Sequence, residues 1–281
     1  MFKKVARRGF VQVAKSLRDA GMLLPERVFR HLHFEGTFQV VLPSGAKLNL
    51  YSWGDRVENE LAWRGWDGHE PLERKRWLQM VRRPGDILDI GANTGTFAFM
   101  AKAIQPSANV VAFEPLARIV SRIRKNVDIS GLEVGVVQAA VSNRSGELPI
   151  YDPGGANAYS ASIKPNFLPG EKEIYNVPVV SIDEYCAANG LNPTSIKIDV
   201  EGAELSVLLG AKELLARRQT LVLCEWLGRL EGKELIANLL LEIGLIAVDL
   251  NSLRKISTSA RKDNHSSNIL IGPAELICSL M

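Results

Sequence analysis

The chain of 281 residues is long enough for one large domain with an extension or for two small domains, and either can bury a sizeable core. Hydrophobic residues make up 46% of it and charged residues 23%, which excludes disordered and fibrous proteins. The 34 basic and 31 acidic side chains give a net charge of +3, which is too small to indicate a nucleic-acid partner.

The three cysteines, Cys186, Cys224 and Cys278, are widely spaced. They form no CxxC or Cys/His pattern, so they indicate neither a disulfide framework nor a zinc site. No continuous apolar run follows the basic N-terminus, and the apolar run 239–250 contains Glu242 and is too short to span a bilayer. We therefore expect a soluble, cytoplasmic protein.

The N-terminus predicts a basic amphipathic helix, because residues 1–18 carry six basic and no acidic side chains and their apolar residues recur at helical spacing. The favoured interpretation is a helix that packs on its own protein. The alternative is a helix on an anionic membrane surface, which would put the protein at the inner face of the membrane.

The segment GTFQVVLPSGAKLNLYSW predicts a β-hairpin that turns at Pro43 and Gly45. A tryptophan-rich segment, 61–85, follows it. We expect its tryptophans to pack between the extension and the core, with stacking on a sugar as the alternative. His69 is expected to be a packed or partly exposed residue rather than a base. Residues 1–80 are thus predicted to form an extension to a domain spanning 81–281.

From Asp86 onward, short apolar strands alternate with helices. This rhythm predicts a parallel sheet covered on both faces, with a ligand at the carboxyl ends of the strands. Strands are predicted at 87–90, 109–113, 134–141, 196–200 and 220–225, and helices at 95–104, 116–129, 201–217 and 233–243.

The stretch DILDIGANTGTF ends a buried strand in a glycine turn. Gly91 and Gly95 allow a tight turn and a close approach to a ligand, and Asp89 lies just before it. The next strand ends in Glu114, where a carboxylate can accept both hydroxyls of a ribose. Because the loop lacks the GxGxxG pattern of dinucleotide sites, it favours a nucleoside without phosphates, such as S-adenosylmethionine.

Several blocks carry a wider resemblance: DILDIGANTGTF, VVAFEPLARIVSRIRKNV, AAVSNRSGEL, VVSIDEY and SIKIDVEGAELSVLLGAKELL followed by LVLCEW. In this order and spacing, residues 84–226 resemble the FkbM family of S-adenosylmethionine-dependent methyltransferases. The resemblance implies an α/β, seven-stranded Rossmann-like methyltransferase fold with a mostly parallel sheet. It also implies S-adenosylmethionine across the ends of the first, second and fourth strands, and methylation of hydroxyl groups.

The resemblance also implies which residues bind the cofactor. The methionine and ribose side would be lined by Asp89, Gly91, Ala92, Asn93 and Gly95. Glu114 would bind the ribose hydroxyls, and Pro115 would shape the turn beside it. The adenine would lie near Gln138, Ala139 and Ala140, where this chain has no acidic residue to accept from the adenine amino group.

Three residues are the candidate catalytic group: Lys197, Asp199 and Glu201. In strand geometry they share one side, close to the expected position of the methyl group. An alcohol becomes a good nucleophile when a base takes its proton, so Asp199 or Glu201 is the predicted base and Lys197 would orient it or tune its pKa. Alternatively, Glu201 and Glu204 are first-turn helix residues that Lys197 merely pairs with. Whether a divalent metal binds at Asp199 is left open.

The glycine- and proline-rich segment 151–173 follows the third strand of the predicted sheet. A long loop inside a compact domain is often a functional lid, so Asn157, Tyr159 and Ser160 are candidates to meet the cofactor or the acceptor. A passive loop is the equal alternative.

These patterns predict an S-adenosylmethionine-dependent O-methyltransferase that acts on a sugar hydroxyl of a glycan, glycolipid or glycosylated metabolite. An RNA or protein methyltransferase is a second interpretation, but it would need a basic, aromatic-lined cleft, and the cations of this chain cluster at the N-terminus instead. A third reading is an inactive module that binds a partner at a membrane surface. The intact Asp89, Glu114 and Asp199 speak against it.

Overall fold

The computed structural model describes residues 14, 16, 22, 25–29, 31–33, 35–154, 161–165, 170–226, 230–256 and 267–280. Apart from Ala14 and Ser16, the predicted basic N-terminal helix lies outside these residues, and so do the loop candidates Asn157, Tyr159 and Ser160. Among the helices that are described, none has both the length and the apolar character needed to cross a bilayer.

The secondary-structure elements are numbered in chain order. The strands are β1 Glu35–Val41, β2 Lys47–Trp53, β3 Asp86–Ile90, β4 Val110–Phe113, β5 Gly135–Val137, β6 Ala140–Val141, β7 Gly146–Asp152, β8 Glu173–Val180, β9 Pro193–Ile198, β10 Leu221–Trp226, β11 Ile246–Asp249 and β12 Ser267–Gly272. The helices are α1 Glu26–Phe29, α2 Arg56–Arg64, α3 Pro71–Met80, α4 Thr96–Ile104, α5 Ala117–Ser130, α6 Ile182–Asn189, α7 Glu204–Leu209, α8 Lys212–Ala216, α9 Leu230–Glu242 and α10 Ala274–Cys278.

The core is a seven-stranded sheet with the order β11-β12-β10-β9-β3-β4-β5. β12 runs antiparallel to both of its neighbours, while β10, β9, β3, β4 and β5 pair in parallel. Successive side chains of β3 enter opposite core layers: Ile87 belongs to one apolar cluster, and Leu88 and Ile90 belong to the other. A sheet buried on both faces explains why its strands are short apolar runs. The predicted seven-stranded, mostly parallel α/β fold is confirmed.

The predicted hairpin is also confirmed, since β1 and β2 pair antiparallel from Glu35↔Trp53 to Val41↔Lys47. Its apolar face is buried, and the Tyr51 amide donates to Asn126 Oδ1 on α5 at 2.8 Å. Trp77 on α3 is 0% exposed and donates from its indole to the Phe97 carbonyl, as the packing interpretation predicts. The segment before β3 is therefore attached to the sheet domain by buried contacts.

A second sheet, in the order β6-β8-β7, lies beside the main one. The single strand predicted at 134–141 is wrong, because this run contributes β5 to the main sheet and β6 to the second. The chain turns between them, where the Ala139 amide donates to the Val137 carbonyl at 3.0 Å. Continuous apolarity signals burial of the run, but it does not reveal a change of strand partner.

The single helix predicted at 201–217 is wrong as well. Glu201 and Gly202 have φ of 51° and 94°, so the chain passes through a left-handed turn before α7 begins. A second interruption separates α7 from α8 at Gly210, where an added Cβ would lie 2.1 Å from the Ser142 carbonyl oxygen. Both interruptions come from tertiary contacts that helical periodicity does not record.

Candidate active site

The glycine turn after β3 brings the tips of two strands together. Gly91 has φ of 76°, and a Cβ at this position would lie only 1.7 Å from the Asp199 carbonyl oxygen. The Asp199 amide in turn donates to the Ile90 carbonyl at 2.9 Å. Only glycine allows this backbone approach, which sets the residues after β9 beside the turn after β3.

Asp89 is buried beneath this turn. Its Oδ2 accepts from the Ala98 amide of α4 at 2.9 Å, while its Oδ1 has no hydrogen-bond partner among the described residues. Burial raises the pKa of Asp89 to about 6. The Oδ1 of Asn93, in the same turn, is likewise buried without a partner in the described chain. The turn thus holds two acceptor atoms that a bound donor would satisfy.

Glu114 follows β4 and is 7% exposed. Its Oε2 accepts from the Asn93 amide at 3.1 Å and its Oε1 from the Leu116 amide at 3.0 Å. Burial nevertheless raises the pKa of Glu114 to about 7. Two backbone donors therefore fix the direction of this carboxyl group.

A pocket opens at the carboxyl ends of β3, β4 and β9. Most of the predicted cofactor residues line it, namely Gly91, Asn93, Glu114, Pro115 and Ala140, together with Ala139. The predicted residues Asp89, Ala92 and Gly95 are not among the lining residues. They belong to the end of β3 and to the turn that follows it. Gln138 is exposed and does not line the pocket either.

The chemistry of this lining fits S-adenosylmethionine. Apolar side chains from 139–141, Ile150 and Ile163 can cover a flat purine, while the Glu114 carboxyl can accept from ribose hydroxyls. The unpartnered Oδ1 of Asn93, a residue of the lining, suits the ammonium of a methionine group.

Part of the predicted lid segment also reaches the pocket. Residues 161–163 line it, and Ser162, which is 2% exposed, donates from Oγ to the Glu201 carbonyl at 2.7 Å. This bond ties the segment to the turn after β9, so these residues form a fixed wall of the pocket.

Beside the pocket lies a charged cluster, by which we mean Glu70, Lys197, Asp199 and Glu225. Lys197 Nζ is 2.8 Å from Asp199 Oδ2 and lies over the Phe97 ring, 4.6 Å from its centroid. Burial alone would lower the pKa of Lys197, but the surrounding carboxylates outweigh burial and raise it. Lys197 is therefore a permanent cation that holds Asp199 at the pocket edge.

Sequence reasoning missed two members of the charged cluster. Carboxylate oxygens of Glu70, Asp199 and Glu225 all lie within 4.8 Å of one another. Such spacing is compatible with a divalent cation, but the Lys197 ammonium already supplies positive charge there. Glu225 stands near the end of β10 in the quoted block LVLCEW, so an acidic residue at a strand end was the signal available for it. Glu70 has no comparable signal.

The protonation states of these two residues differ. Burial and the adjacent, hydrogen-bonded Asp199 raise the pKa of Glu225 well above its usual range, which favours the neutral form that donates a hydrogen bond. Burial would also raise the pKa of Glu70, but the hydrogen bond from His69 and the charge of Lys197 lower it to about 2. Glu70 is thus an anion.

Glu201 lines the pocket with Asp199, but not for the predicted reason. β9 ends at Ile198, so the strand alternation that was expected to align residues 197, 199 and 201 stops before Glu201. The left-handed turn brings Glu201 to the pocket instead. It also excludes the alternative of Glu201 as a first-turn helix residue. Burial, Asp199 and Glu204 raise the pKa of Glu201 to about 8.

The sheet order and the pocket at the carboxyl ends of its parallel strands are those expected of an S-adenosylmethionine-dependent methyltransferase fold. The family model described as the Methyltransferase FkbM domain matches residues 89–247, more than half of the chain. The chain belongs to this family, and the family implies S-adenosylmethionine as its cofactor.

Two curated relatives are similar to the chain. The 2-O-methyltransferase NoeI of Sinorhizobium fredii is 31% identical over 154 residues, which cover 50% of this chain and 63% of NoeI. The hexuronic acid methyltransferase AglP of Haloferax volcanii is 28% identical over 235 residues, which cover 82% of this chain and 88% of AglP. The match thus covers less than two thirds of the length of NoeI.

Among solved structures, methyltransferase FkbM from Methylobacillus flagellatus is similar at 17% identity with a TM-score of 0.43, covering 67% of this chain and 43% of that one.

Proposed function

We propose that this protein is an S-adenosylmethionine-dependent O-methyltransferase whose acceptor is a sugar hydroxyl in a glycan, glycolipid or glycosylated metabolite. One observation carries the proposal: Glu114 and Asp199 line the same pocket. Glu114 follows β4 and Asp199 follows β9, the two strands that flank β3. A ribose-binding carboxyl group and a second carboxylate thus share one cleft. The names of NoeI and AglP, an O-methyltransferase and a hexuronic acid methyltransferase, support the sugar acceptor by analogy.

The proposed cofactor contacts follow from this lining. Glu114 accepts from the ribose hydroxyls, and the free Oδ1 of Asn93 accepts from the methionine ammonium. When bound, S-adenosylmethionine supplies an electrophilic methyl group, which an oxygen attacks in line as the carbon–sulfur bond breaks.

The base in this proposal is Asp199, which takes the acceptor's hydroxyl proton as the oxygen–carbon bond forms. Lys197, at 2.8 Å, fixes the orientation of Asp199, and neutral Glu225 donates a hydrogen bond to it. Glu201 is the weaker candidate, because a pKa of about 8 leaves it mostly protonated and unable to accept a proton at pH 7.

The base assignment is tested with Asp199→Asn. We expect S-adenosylhomocysteine to bind with unchanged affinity in calorimetry, while methyl transfer falls by roughly 100-fold or more, because the amide cannot accept the proton. Asp128→Asn, an exposed change on α5, is the matched control and should behave as the wild type. Full activity in Asp199→Asn would dismiss Asp199 as the base.

The acceptor class is tested by tritiated-methyl transfer from S-adenosylmethionine to fractionated cell glycans, glycolipids, RNA and protein. We expect alkali-stable label on the saccharide fractions, as an ether is not hydrolysed by base. Label confined to RNA or to protein would replace the sugar acceptor with one of those polymers, and absence of S-adenosylhomocysteine binding would contradict a methyltransferase altogether.

A further inference from the structure

The turn before α3 holds a glutamate in an unusual backbone conformation. Glu70 has φ of 48° and ψ of 57°, the left-handed region that residues other than glycine, asparagine and aspartate seldom adopt. Pro71 follows at the start of α3. Both residues precede position 89, where the match to the family model begins. Such strain persists only where surrounding contacts impose it, so those contacts identify what the turn holds in place.

Three contacts brace this turn. His69 Nδ1 lies 2.7 Å from Glu60 Oε2, and His69 Nε2 lies 3.4 Å from Glu70 Oε1. The buried Arg74 donates from Nε to the His69 carbonyl at 2.6 Å. The imidazole therefore links a carboxylate of α2 to Glu70, while α3 holds the backbone from the other side. These contacts explain how the ionised Glu70 side chain is held in one orientation.

The Glu70 side chain is directed toward the carboxyl ends of β9 and β10. Glu70 oxygens lie within 4.8 Å of oxygens of both Asp199 and Glu225, although the three residues come from distant parts of the sequence. Two ionised carboxylates this close repel each other unless a cation lies near both. Lys197 is that cation, bonded to Asp199 and attracted by Glu70.

We propose that Glu70 is a positioning residue for methyl transfer: by sharing the charge of Lys197, it keeps Asp199 from being fully neutralised by that ammonium. The segment before the family-matched region is then part of the active site. An anion near Asp199 also favours transfer of the acceptor proton onto it, since the proton moves toward the more negative site. This inference rests on the proposed function, in which Asp199 is the base.

Two substitutions separate the charge of Glu70 from its part in the fold. Glu70→Gln removes the charge and keeps the shape. Glu70→Gly removes the side chain and also the left-handed strain, so it should fold at least as well as the wild type. We expect both to lower kcat by about 10-fold or more, with the KM for S-adenosylmethionine and the affinity for S-adenosylhomocysteine unchanged within about 2-fold.

Glu73→Gln is the matched control, because Glu73 lies in the first turn of α3, three residues after Glu70, and its hydrogen bond from Asn268 is one that glutamine can also accept. It should retain wild-type kcat. If Glu70 serves only to build the turn, Glu70→Gly and Glu70→Gln will both keep wild-type turnover, which would overturn the inference.

A second readout needs no acceptor. Asp199, Lys197 and Glu70 face Glu225, and burial together with Asp199 raises the pKa of Glu225. Removing the Glu70 anion should lower the pKa of Glu225, which a carbon-13 carboxyl NMR titration of Glu70→Gln measures against Glu73→Gln. An unchanged Glu225 midpoint would overturn the inference.

The outcome is separable from that of the proposed function. If both Glu70 variants keep wild-type kcat while Asp199→Asn loses activity, the positioning role of Glu70 is rejected and the proposed function stands. Full activity in Asp199→Asn removes the proposed base, whatever the Glu70 variants do.

Discussion

The cofactor pocket and the charged cluster are adjacent but are built in different ways. In the pocket, the Glu114 carboxyl is held by backbone amides of Asn93 and Leu116, and Gly91 brings two backbones into contact. In the cluster, side chains from three separate parts of the chain hold one another by charge. Lys197 at the centre is paired with Asp199 at 2.8 Å.

This difference predicts different sensitivities. A site held by backbone contacts fails when atoms are added to it, because the main chain has no room to move. A site held by compensating charges fails when one charge is removed, since the remaining ions are left unbalanced in a partly buried setting. Substitutions that add bulk should therefore damage the pocket, and isosteric loss of charge should damage the cluster.

The largest effect is expected from Gly91→Ala. Its Cβ would lie 1.7 Å from the Asp199 carbonyl oxygen, in addition to the left-handed φ of 76°, so the strand tips must separate. We expect a loss of roughly 4 kcal/mol or more in the free energy of unfolding. Urea denaturation measures it, with calorimetry for the expected loss of S-adenosylhomocysteine binding.

The control for this change is Gly131→Ala, which has φ of 67° at the end of α5 but no atom within 4 Å of the new Cβ. Only conformational strain applies there, so the loss should be about 1–2 kcal/mol. Equal losses at the two positions would mean that the close approach at Gly91 has no energetic weight.

The next effect tests the proposed ribose contact. In Glu114→Gln one of the two acceptor oxygens becomes a donor, so S-adenosylhomocysteine should bind about 10- to 100-fold more weakly in calorimetry. Gln138→Ala is the control, because Gln138 is exposed and outside the pocket lining. A greater loss at Gln138 than at Glu114 would contradict the proposed orientation of the nucleoside.

A third prediction concerns pH and the protein without cofactor. Burial raises the pKa of Glu114 from 4.5 to about 7, so the folded state holds a proton that the unfolded state releases between these values. This contribution to stability is complete below pH 4.5 and is lost as the pH rises through 7. The free energy of unfolding should therefore fall with rising pH in this window, by up to about 1.4 kcal/mol per pH unit from this group.

Glu114→Gln should flatten that decline, as an amide does not titrate. Urea denaturation at several pH values measures both slopes. If the two proteins lose stability in parallel between pH 5 and 7, Glu114 does not carry the titration.

The smallest effect is expected from Glu225→Gln. Since Glu225 is neutral at pH 7, the amide can replace its hydrogen bond to Asp199, and kcat should fall by no more than about 3-fold. Glu225→Ala removes the donor and should lower kcat further. A Glu225→Gln variant as impaired as Asp199→Asn would indicate that Glu225 acts as an anion, which would change the charge balance of the cluster.

Much of the pocket could be predicted from short stretches of sequence. Apolar strands that end in Gly91 and in Glu114 are local signals, and parallel strands present their ends at one edge, so the meeting of the two follows from the fold class. The prediction that Gln138 lies near the adenine was wrong, because Gln138 is exposed and outside the pocket lining. The sequence did not reveal that the chain leaves the main sheet after β5.

The charged cluster was predictable only in part. Lys197 and Asp199 share a side because Lys197 lies in β9 and Asp199 follows its last residue. The position of Glu201 depends instead on a left-handed turn. Glu70 could not have been found, since its position comes from a braced turn in a different segment of the chain.

The sequence by itself determined the α/β class, the hairpin, the glycine turn and the carboxyl group that ends β4, because hydrophobic period and glycine chemistry act over a few neighbouring residues. The tertiary structure alone decided that the run 134–141 divides between two sheets and that Glu70 faces Asp199 and Glu225. Strand pairing and charge compensation join residues that are distant in the chain, and no local pattern encodes them.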